Sequence, residues 1–215
     1  MEKLNEHIRN LRTNYSLFEL VEHKVHEDPI IQFSIWLQEA LDAKINEPHA
    51  MTLATANNGV PSARIVLLKE IANGQFVFYS NYESRKGNEL HLNPRCHLSF
   101  YWPELQRQVL VNGHASKVDT QTSALYFHSR PRESQIGAWA SKQSKVIPTR
   151  ELLQSTFNTI EQEFSGKQIP LPKVWGGYQV EPNSIEFWQG RPNRLHDRLL
   201  YSKNETNWKI ERLSP

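Results

Sequence analysis

The sequence predicts a mainly β protein with flanking helices, an α+β fold with an antiparallel sheet. Two observations predict this class. Roughly nine short apolar segments alternate with turns rich in glycine, proline and asparagine, and connections this short favour antiparallel pairing. Segments with apolar residues at helical spacing precede and interrupt them. So many strands in 215 residues predict a closed or nearly closed barrel with helices outside it.

The chain begins with two predicted helices. The first spans residues 4–20, where apolar side chains recur at helical spacing: Leu4, Ile8, Leu11 and Tyr15. The second begins at Asp28 and Pro29, because aspartate caps helix N-termini and proline suits the first helical position. Its apolar stripe consists of Ile30, Phe33, Leu37, Ala40 and Leu41.

After residue 48 the periodicity changes to that of strands. Turns bound five predicted strands, at residues 50–56, 60–69, 75–80, 95–102 and 106–118. A short helix is predicted at residues 85–92. Three further helices are predicted at residues 119–129, 133–141 and 149–164. Four short strands end the chain, at residues 177–181, 184–189, 198–202 and 208–211.

The composition excludes several classes of protein. The 25 basic and 23 acidic side chains leave a net charge of +2, which is too small for a general nucleic-acid binder. No apolar run approaches the roughly 18–20 residues of a membrane span, and the N-terminus lacks the apolar core of a secretory signal. The single cysteine, Cys96, excludes an internal disulfide and a cysteine-based zinc site, so the expected compartment is the reducing cytoplasm.

No repeat, low-complexity stretch or linker divides the chain. We therefore predict one domain at residues 29–215, preceded by an N-terminal segment at residues 1–28. Residues 51–150 carry 12 basic and 6 acidic side chains, whereas residues 1–50 carry 5 and 9. A basic middle in a nearly neutral chain suggests a local anion site, although a solvated face of lysine and arginine explains the same counts.

Two basic segments are candidates for that site. The first is RIVLLK at residues 64–69, an apolar strand with a cation at each end, and a half-buried cation needs an anionic partner. Ends that reach solvent are the alternative. In the second, Arg85 and Lys86 follow Ser84 at a predicted helix start, and helix amides with two cations suit a phosphate. An ordinary polar helix entry is the alternative there.

A third candidate combines two hydroxyls and a guanidinium. Tyr126, Arg130 and Ser134 are spaced by four residues each, so they would share one face of a continuous helix. Pro131 interrupts that helix, which leaves a polar helix junction as the alternative interpretation. If the three side chains meet, they suit a phosphate ester.

A fourth candidate lies near the C-terminus. Arg194 and His196 alternate with Leu195, so an extended segment would point both in one direction. A cation and an imidazole together hold a heteroaromatic ring or polarise a reacting group. Most of the nine histidines are expected to be structural, and the neighbouring Trp188 and Arg198 single this one out. The histidine spacings do not predict a metal site.

These segments together resemble the pyridoxine/pyridoxamine 5′-phosphate oxidase family, the flavoproteins that make pyridoxal 5′-phosphate. The resemblance covers residues 29–215 in order, and its most specific motifs are HSRPRESQIGAW at 128–139 and EFWQGRPNRLHDR at 186–198. It also includes FYSNYESRKGNEL at 78–90, LQRQVLVNG at 105–113 and VWGGYQVEP at 174–182. The family fold implied is a split β-barrel homodimer with FMN between the subunits.

The resemblance also implies a set of site residues. For FMN it points to Arg64, Ile65, Val66, Leu67, Leu68, Lys69, Tyr79, Ser80, Arg85, Lys86, Gln108, Gln143, Ser144, Trp188 and Arg198. For the substrate phosphate it points to Lys69, Tyr126, Arg130 and Ser134. At the pyridine end of the substrate it points to Arg194 and His196, which would be the catalytic residues.

The implied activity belongs to vitamin B6 metabolism. Pyridoxamine 5′-phosphate and pyridoxine 5′-phosphate would be oxidised to pyridoxal 5′-phosphate, with O2 as acceptor and H2O2 as product. Two rivals are another split-barrel flavin reductase and a non-catalytic module that binds FMN or pyridoxal phosphate. The reductase would lack the substrate residues at 130–134 and 194–196.

The N-terminal segment matches the family in part. Arg12 and Tyr15 resemble an Arg-x-x-Tyr element that closes over the substrate. The residues after it are acidic and apolar here, whereas the family has glycine and arginine. We therefore expect residues 12–15 to reach the substrate as a lid and the acidic residues at 19–28 to lie away from it.

Overall fold

The computed structural model of the chain describes residues 1–205 and 207–215. Within these residues the helices are α1 (Glu2–Asn10), α2 (Pro29–Asp42), α3 (Arg85–Leu92), α4 (Thr120–Ser129), α5 (Arg132–Ala140) and α6 (Arg150–Glu163). The strands are β1 (Ala50–Asn57), β2 (Val60–Leu67), β3 (Glu70–Ala72), β4 (Gln75–Asn81), β5 (Arg95–Trp102), β6 (Arg107–Lys117), β7 (Trp175–Gln189), β8 (Asp197–Asn204) and β9 (Asn207–Arg212).

The strands form one sheet. Its order is β2-β1-β5-β6-β7-β4-β3, with β8 paired to β7 and β9 paired to β8. The β1–β2, β3–β4, β4–β7, β7–β8 and β8–β9 pairs are antiparallel. The prediction of an α+β fold with an antiparallel sheet is therefore confirmed.

The chain forms two compact units. The first unit comprises Met1–Pro48, Ser99–Leu110 and Ser184–Pro215, and the second comprises His49–Leu98 and Val111–Asn183. Strands β5, β6 and β7 contribute residues to both units. The longest described helices, α2 and α6, have 14 residues each, and no described helix is both long and apolar enough to cross a membrane.

Aromatic side chains form the core of the first unit. Phe33 on α2 is fully buried, and its ring lies 4.8 Å from that of Phe100. Trp36, one turn further along α2, meets the ring of Phe187 edge-on at 5.1 Å. Phe187 in turn lies 5.4 Å from Tyr201 on the neighbouring strand. These contacts fix α2 against β5 and β7, and β7 against β8; Trp188 and Arg198 lie near the ends of β7 and β8.

Tight turns set the strand registers of the second unit. Asn58 and Gly59 join β1 to β2, and Asn73 and Gly74 join β3 to β4, all four with positive φ. Asparagine and glycine adopt this conformation at little cost, and two such residues in succession match the twist of a hairpin. Both turns are confirmed as predicted from the sequence.

Most predicted elements have bounds within two residues of those observed, and α3 has the predicted bounds. Asp28 begins α2 as expected, since its Oδ1 accepts the N–H of Ile30 at 2.8 Å. The helix predicted at residues 4–20 is too long, because α1 ends at Asn10.

The chain beyond α1 is held by distant side chains instead of helical hydrogen bonds. Gln106 Oε1 accepts the N–H of Ser16 at 3.0 Å, and Asp197 Oδ2 accepts the N–H of Leu20 at 3.1 Å. Helical spacing in the sequence carries no signal of such partners, which explains the wrong prediction.

A second correction concerns β7. The strands predicted at 177–181 and 184–189 are one strand, which pairs with β4 as far as Val180 and with β8 from Ser184 onward. Pro182 lies where the partner changes, so its missing N–H removes no bond from the β4 or β8 ladder. The short strand β3, which pairs with β4, was not predicted.

Candidate active site

A cavity of about 850 Å³ lies in the second unit. Cavities of this size are typical of cofactor and substrate sites. The predicted site residues on its wall are Arg64, Ile65, Val66, Leu67, Lys69, Tyr79, Ser80, Lys86, Tyr126, Arg130, Ser134 and Gln143. Leu68, Arg85 and Ser144 belong to the same unit but lie off this wall. Most of the site residues predicted for this unit therefore lie around one cavity.

One side of the cavity is apolar and comes from β2, whose paired neighbour in the sheet is β1. Ile65 is 64% exposed there although it is a large hydrophobic residue, and Val66 and Leu67 are half-buried. The next residue, Leu68, is buried, and its N–H donates to the carbonyl of His49 at 2.9 Å. An exposed isoleucine on a cavity wall offers contact area to an apolar ring.

Lys86 on α3 supplies a buried cation. Its Nζ donates to Ser80 Oγ at 3.1 Å, to Gln143 Oε1 at 3.2 Å and to Ser84 Oγ at 3.5 Å. Burial lowers the pKa of Lys86, and the positive charge of Arg64 lowers it further. All three acceptors are neutral oxygens, so an anion in the cavity would complete the pairing of this ammonium.

Arg64 and Arg85 share one buried carboxylate, Glu89. Its Oε2 lies 3.0 Å from Arg64 Nη2, and its Oε1 lies 2.9 Å from Arg85 Nε. The hydroxyls of Thr55 and Ser62 also donate to Glu89, at 2.5 and 2.6 Å. Burial raises the pKa of Glu89, but these hydrogen bonds outweigh burial and bring it to about 2. The carboxylate is therefore ionised at neutral pH, and with Lys86 the group carries a net charge of +2.

The start of α3 brings this group close to β4. Ser84 caps the helix by accepting the N–H of Gly87 at 3.3 Å. A Cβ at Gly87 would overlap the carbonyl of Tyr82, so only glycine allows this approach of the helix to the preceding turn. The predicted helix start at Ser84 is confirmed.

Arg130 is a second cation with unused hydrogen-bonding capacity. Its guanidinium lies 4.7 Å from the ring centre of Trp175, which stacks with Tyr79 and Tyr126. Among the described residues, Nη1 of Arg130 is the one buried side-chain nitrogen or oxygen without a hydrogen-bond partner. Burial lowers the pKa of Arg130. A buried donor without a partner costs free energy, so this atom marks a place for a ligand's oxygen.

The break at Pro131 does not separate the third candidate group. Helix α4 ends at Ser129, Arg130 is extended, and α5 begins at Arg132. Tyr126 and Ser134 nevertheless line the same cavity as Arg130. The junction therefore presents two hydroxyls and a guanidinium, as the sequence suggested, although the three do not share one continuous helix.

The loop after α5 contributes Gln143 but not Ser144 to the wall. Gln143 Oε1 accepts from both Ser80 Oγ and Lys86 Nζ, at 3.3 and 3.2 Å. Ser144 is exposed and has a left-handed backbone, with φ of 69°. Its predicted contact with FMN stays a prediction.

In the first unit, three candidate aromatic rings form a cluster. The rings of Trp188 and His196 lie 4.7 Å apart, and Tyr15 lies 5.8 Å from each. His196 Nδ1 accepts the backbone N–H of Arg191 at 3.1 Å. Burial lowers the pKa of His196, and the positive charge of Arg194 lowers it further. The negative charge of Asp197 partly opposes these two effects. The imidazole is therefore neutral at pH 7, with its proton on Nε2.

The segment before His196 is a turn and not the extended strand that the alternation suggested. Asn193 and Arg194 both have positive φ, at 58° and 63°, and the turn ends at Leu195. Asparagine adopts this conformation at little cost, but Arg194 is strained in it, and strain of this kind is frequent at functional sites. The Arg194 side chain is exposed.

The other predicted residues of the first unit have partners within it. Arg198 forms a double hydrogen bond with Glu186, at 2.7 and 3.1 Å, and donates to the carbonyl of Ser214 at 2.9 Å. The hydrogen bond that Arg198 donates to Glu186 raises the pKa of Arg198. Gln108 on β6 donates to Ser99 Oγ at 3.1 Å. Contacts of these residues with FMN stay predictions.

Three of the acidic residues at 19–28 have partners within the first unit. Glu19 binds Lys24 at 2.8 Å, Glu22 binds Arg212 at 2.8 Å, and Asp28 caps α2. Arg12 is exposed, whereas Tyr15 is half-buried. The lid role of Arg12 and Tyr15 stays a prediction.

Sequence reasoning missed the partners that hold the candidate residues. Glu89 lies four residues after Arg85 on α3, and this spacing was a signal that could have found it. Glu186 and Gln106 gave no local signal, because their partners are distant in sequence. Cys96 is buried, and burial raises the pKa of its thiol to about 12, which makes it unreactive. Among the described residues no group of three His, Cys, Asp or Glu side chains is placed to hold a metal ion.

Fold and cavity define an α+β protein with a cavity lined by lysine and arginine side chains. The family model described as pyridoxamine 5′-phosphate oxidase matches residues 37–164. The model described as the pyridoxine 5′-phosphate oxidase C-terminal dimerisation region matches residues 175–215. The chain therefore belongs to the pyridoxamine 5′-phosphate oxidase family, as the motifs predicted. Membership supports an oxidoreductase with FMN as its cofactor, and the second match supports a homodimer.

Two relatives carry the name pyridoxine/pyridoxamine 5′-phosphate oxidase. The protein from Cyanothece sp. is 50% identical over 209 residues, which cover 97% of this chain and 98% of the relative. The protein from Burkholderia mallei is 53% identical over 212 residues, which cover 97% and 99%.

Solved structures confirm the predicted fold family. PhzG from Burkholderia lata, in complex with tetrahydrophenazine-1-carboxylic acid, is 28% identical with a TM-score of 0.88, covering 94% of this chain and 100% of that chain. A pyridoxamine 5′-phosphate oxidase-related, FMN-binding protein from Nostoc punctiforme has the same fold at 15% identity, with a TM-score of 0.68 and coverage of 85% and 97%.

Proposed function

We propose that this chain catalyses the FMN-dependent oxidation of pyridoxamine 5′-phosphate and pyridoxine 5′-phosphate to pyridoxal 5′-phosphate, with O2 as acceptor and H2O2 as product. One observation carries the proposal. A single cavity has two cations with incomplete pairing on different elements, Lys86 on α3 and Arg130 after α4. Two anion positions in one cavity suit a phosphorylated cofactor and a phosphorylated substrate. The relatives at 50% and 53% identity are named for this activity.

The residues of the cavity fit FMN. Lys86 and Arg64 would bind its phosphate, with Ser80 beside them, and Ile65 would contact its ring. When bound, FMN would supply the redox chemistry, which is the acceptance of a hydride from the substrate and the transfer of its electrons to O2. The net charge of +2 around Glu89 matches a phosphate dianion.

The substrate phosphate is assigned to the group around Arg130. Arg130 Nη1 would donate to a phosphate oxygen, and Lys69, Tyr126 and Ser134 would complete the set. Each charge-assisted hydrogen bond contributes about 1.5–3 kcal/mol. By fixing the phosphate, these residues would fix the reacting carbon of the substrate, and such positioning is the main contribution of the protein.

His196 acts in this proposal as a neutral hydrogen-bond donor. Its Nδ1 is occupied by the Arg191 N–H, so Nε2–H is the group available to a ligand. Its lowered pKa keeps the ring neutral at pH 7. Together with the guanidinium of Arg194, this donor would orient the pyridine ring and stabilise negative charge that develops there. Arg194 and His196 are therefore the proposed catalytic residues.

A homodimer with FMN at its interface is part of the proposal. Several large apolar side chains are exposed in the single chain, among them Ile65 at 64% and Leu125 at 69%. A second subunit would cover such surface. The cytoplasm is the proposed compartment, since a single buried thiol suits a reducing environment.

The test is turnover by the purified, FMN-loaded protein. Pyridoxamine 5′-phosphate should yield pyridoxal 5′-phosphate and H2O2 in equal amounts while O2 is consumed. Unphosphorylated pyridoxamine is the matched control and should be a far poorer substrate, because it lacks the group that Arg130 binds. Bound FMN without turnover of either phosphate ester would overturn the proposal in favour of a binding module. Oxidation of NADH without formation of pyridoxal phosphate would overturn it in favour of a flavin reductase.

A further inference from the structure

The chain around Tyr15 is exposed, yet Tyr15 itself is held in place. Of residues 11–19, Tyr15 is half-buried and the others are exposed. Its ring meets Trp188 edge-on at 5.8 Å and inclines toward His196 at the same distance. A tyrosine flanked by exposed residues needs a fixed backbone to keep this orientation.

Gln106 supplies that fixed point. Its side-chain Oε1 accepts the N–H groups of Ser16 and Leu17, at 3.0 and 3.3 Å. Its own carbonyl accepts the N–H of Gly190 at 2.8 Å and Nε2 of Gln189 at 3.1 Å. One residue therefore binds both the chain next to Tyr15 and the end of β7, which carries Trp188.

Gly190 provides the space in which Tyr15 lies. A Cβ at this position would lie 2.8 Å from Cγ of Tyr15 and 3.1 Å from Cβ of Gln106. Carbon atoms that are not bonded essentially never approach to 2.8 Å, and a contact of 3.1 Å is unusually tight, so a side chain at Gly190 would displace the tyrosine. Gly190 therefore leaves room for the Tyr15 ring, and Gln106 holds the backbone beside it.

Other contacts hold the chain further on. Phe18 lies over the Arg107 guanidinium at 4.9 Å, and its carbonyl accepts from Arg191 at 3.0 Å. The N–H of Leu20 binds Asp197. These contacts begin three residues after Tyr15, whereas Gln106 binds the two amides directly after it.

We propose that Gln106 is a positioning residue, which holds Tyr15 against Trp188 and His196 for contact with the substrate. The inference rests on the proposed function, in which His196 meets the pyridine end of the substrate. Gln106 touches neither substrate nor cofactor in this proposal and acts through Tyr15.

The experiment compares Gln106→Met with Gln106→Glu in the FMN-loaded protein. Methionine keeps the length of the side chain but removes the acceptor, whereas glutamate keeps an acceptor for both amides. In Gln106→Met, hydrogen exchange at the amides of Ser16 and Leu17 should accelerate about fivefold or more. The KM for pyridoxamine 5′-phosphate should rise about three- to tenfold, with kcat changed less than about twofold. Gln106→Glu should restore both values to within about twofold of the original protein.

A second readout follows His196. Tyr15 covers this ring, and the charged groups near it are Arg194, Asp197 and Arg191. Since burial lowers the pKa of His196, release of Tyr15 should move that pKa upward toward 6.5, as measured by NMR titration. Gln162→Met on the exposed face of α6 is the matched control and should change none of these values.

Two results would overturn the proposal. One is unchanged amide exchange and KM in Gln106→Met, and the other is equal damage by the methionine and glutamate variants. Should Gln106→Met fail to fold, Gln106→Asn replaces it, because asparagine tolerates the left-handed backbone at this position but is too short to reach both amides.

A double-mutant cycle with Tyr15→Leu tests the route of the effect. If Gln106 acts through Tyr15, Gln106→Met should raise the KM no further in the Tyr15→Leu background. A full additional increase there would overturn the proposal. If the original protein fails to oxidise pyridoxamine 5′-phosphate, the proposed function fails, whereas amide exchange and the His196 titration still decide whether Gln106 holds Tyr15.

Discussion

Cations have different partners in the two units of this chain. In the first unit, Arg198 is bound by Glu186 at 2.7 Å and Arg212 by Glu22 at 2.8 Å. In the second unit, the acceptors of Lys86 are neutral oxygens, and Arg130 has a buried Nη1 without a partner. The comparison teaches that an anion site is marked by cations whose pairing the fold leaves incomplete, and not by the number of cations in a segment.

Within the second unit, Glu89 separates cations that a carboxylate binds from one that no carboxylate binds. It neutralises one charge of Arg64 and Arg85 while Lys86 stays unpaired by a carboxylate. Burial of Lys86 and the partly buried Arg64 without any counterion would be very costly, whereas one carboxylate leaves enough charge to attract a dianion.

The largest effect is expected at the cation with the unpaired buried atom. Arg130→Met should lower kcat/KM for pyridoxamine 5′-phosphate about 100- to 1,000-fold, because a buried guanidinium makes charge-assisted bonds that methionine cannot replace. Steady-state kinetics with the phosphate ester and with pyridoxamine should show that the preference for the phosphate is lost. Arg150→Met, on an exposed arginine of α6, is the control. An unchanged preference in Arg130→Met would place the substrate phosphate elsewhere.

A smaller effect, on the cofactor instead of the substrate, is expected at Lys86. Lys86→Met should weaken FMN binding about 10- to 100-fold. Methionine has a similar length and shape to lysine but lacks the positive charge that would bind the phosphate. Quenching of flavin fluorescence on binding measures the Kd. Lys145→Met, at an exposed lysine of the same unit, should leave it unchanged. A result in which Lys86→Met raises the KM for the substrate but retains FMN would reverse the two assignments.

Local signals in the sequence predicted most of the fold. Asp28 and Pro29 start α2, and Asn58-Gly59 turns the first hairpin, because these residues act on their own backbone. Residues 11–20 were wrongly predicted as helix, since their hydrogen bonds go to Gln106 and Asp197 in distant parts of the chain. The prediction of two strands at 177–181 and 184–189 is wrong, because the change of partner strand at Pro182 is a property of the sheet and not of the local sequence.

The candidate site, like the fold, was predicted from local sequence only in part. Cation-bearing segments such as RIVLLK and the motif at 128–139 located the cavity residues, with most roles taken from the resemblance. The sequence did not show that Glu89 would bind Arg64, or that Arg198 would face Glu186, since both partners are brought together by strand pairing and helix packing. Which cations stay unpaired therefore became visible only in the folded chain.

Removing the carboxylate charge that binds Arg64 and Arg85 should lower the stability of the folded protein. Glu89→Gln should lower the free energy of unfolding at pH 7 by about 3 kcal/mol, because it leaves two guanidiniums without their buried counterion. The folded pKa of Glu89, about 2, lies below its ordinary value of 4.5, so its contribution is present above pH 4.5 and is lost as the pH falls toward 2. Urea unfolding at pH 7 and pH 3 should show the gap between variant and original protein narrowing. Glu163→Gln, on the exposed face of α6, is the control, and a gap that stays constant with pH would contradict the role of Glu89.

The smallest effect is expected at an exposed pair of the first unit. A hydrogen bond from Arg212 lowers the pKa of Glu22 to about 2, much like that of Glu89, yet the side chains of Glu22 and Arg212 are 51% and 38% exposed. Water and salt screen such a pair, with a Debye length of about 8 Å at physiological ionic strength. Arg212 also keeps its bonds to Asp197 and to the carbonyl of Leu20 when Glu22 is changed. Glu22→Gln should therefore shift Tm by less than about 2 °C at pH 7, where any contribution of the ionised carboxylate is fully present. If thermal unfolding instead shows a loss as large as that of Glu89→Gln, burial is not what separates the contributions of these two carboxylates to stability.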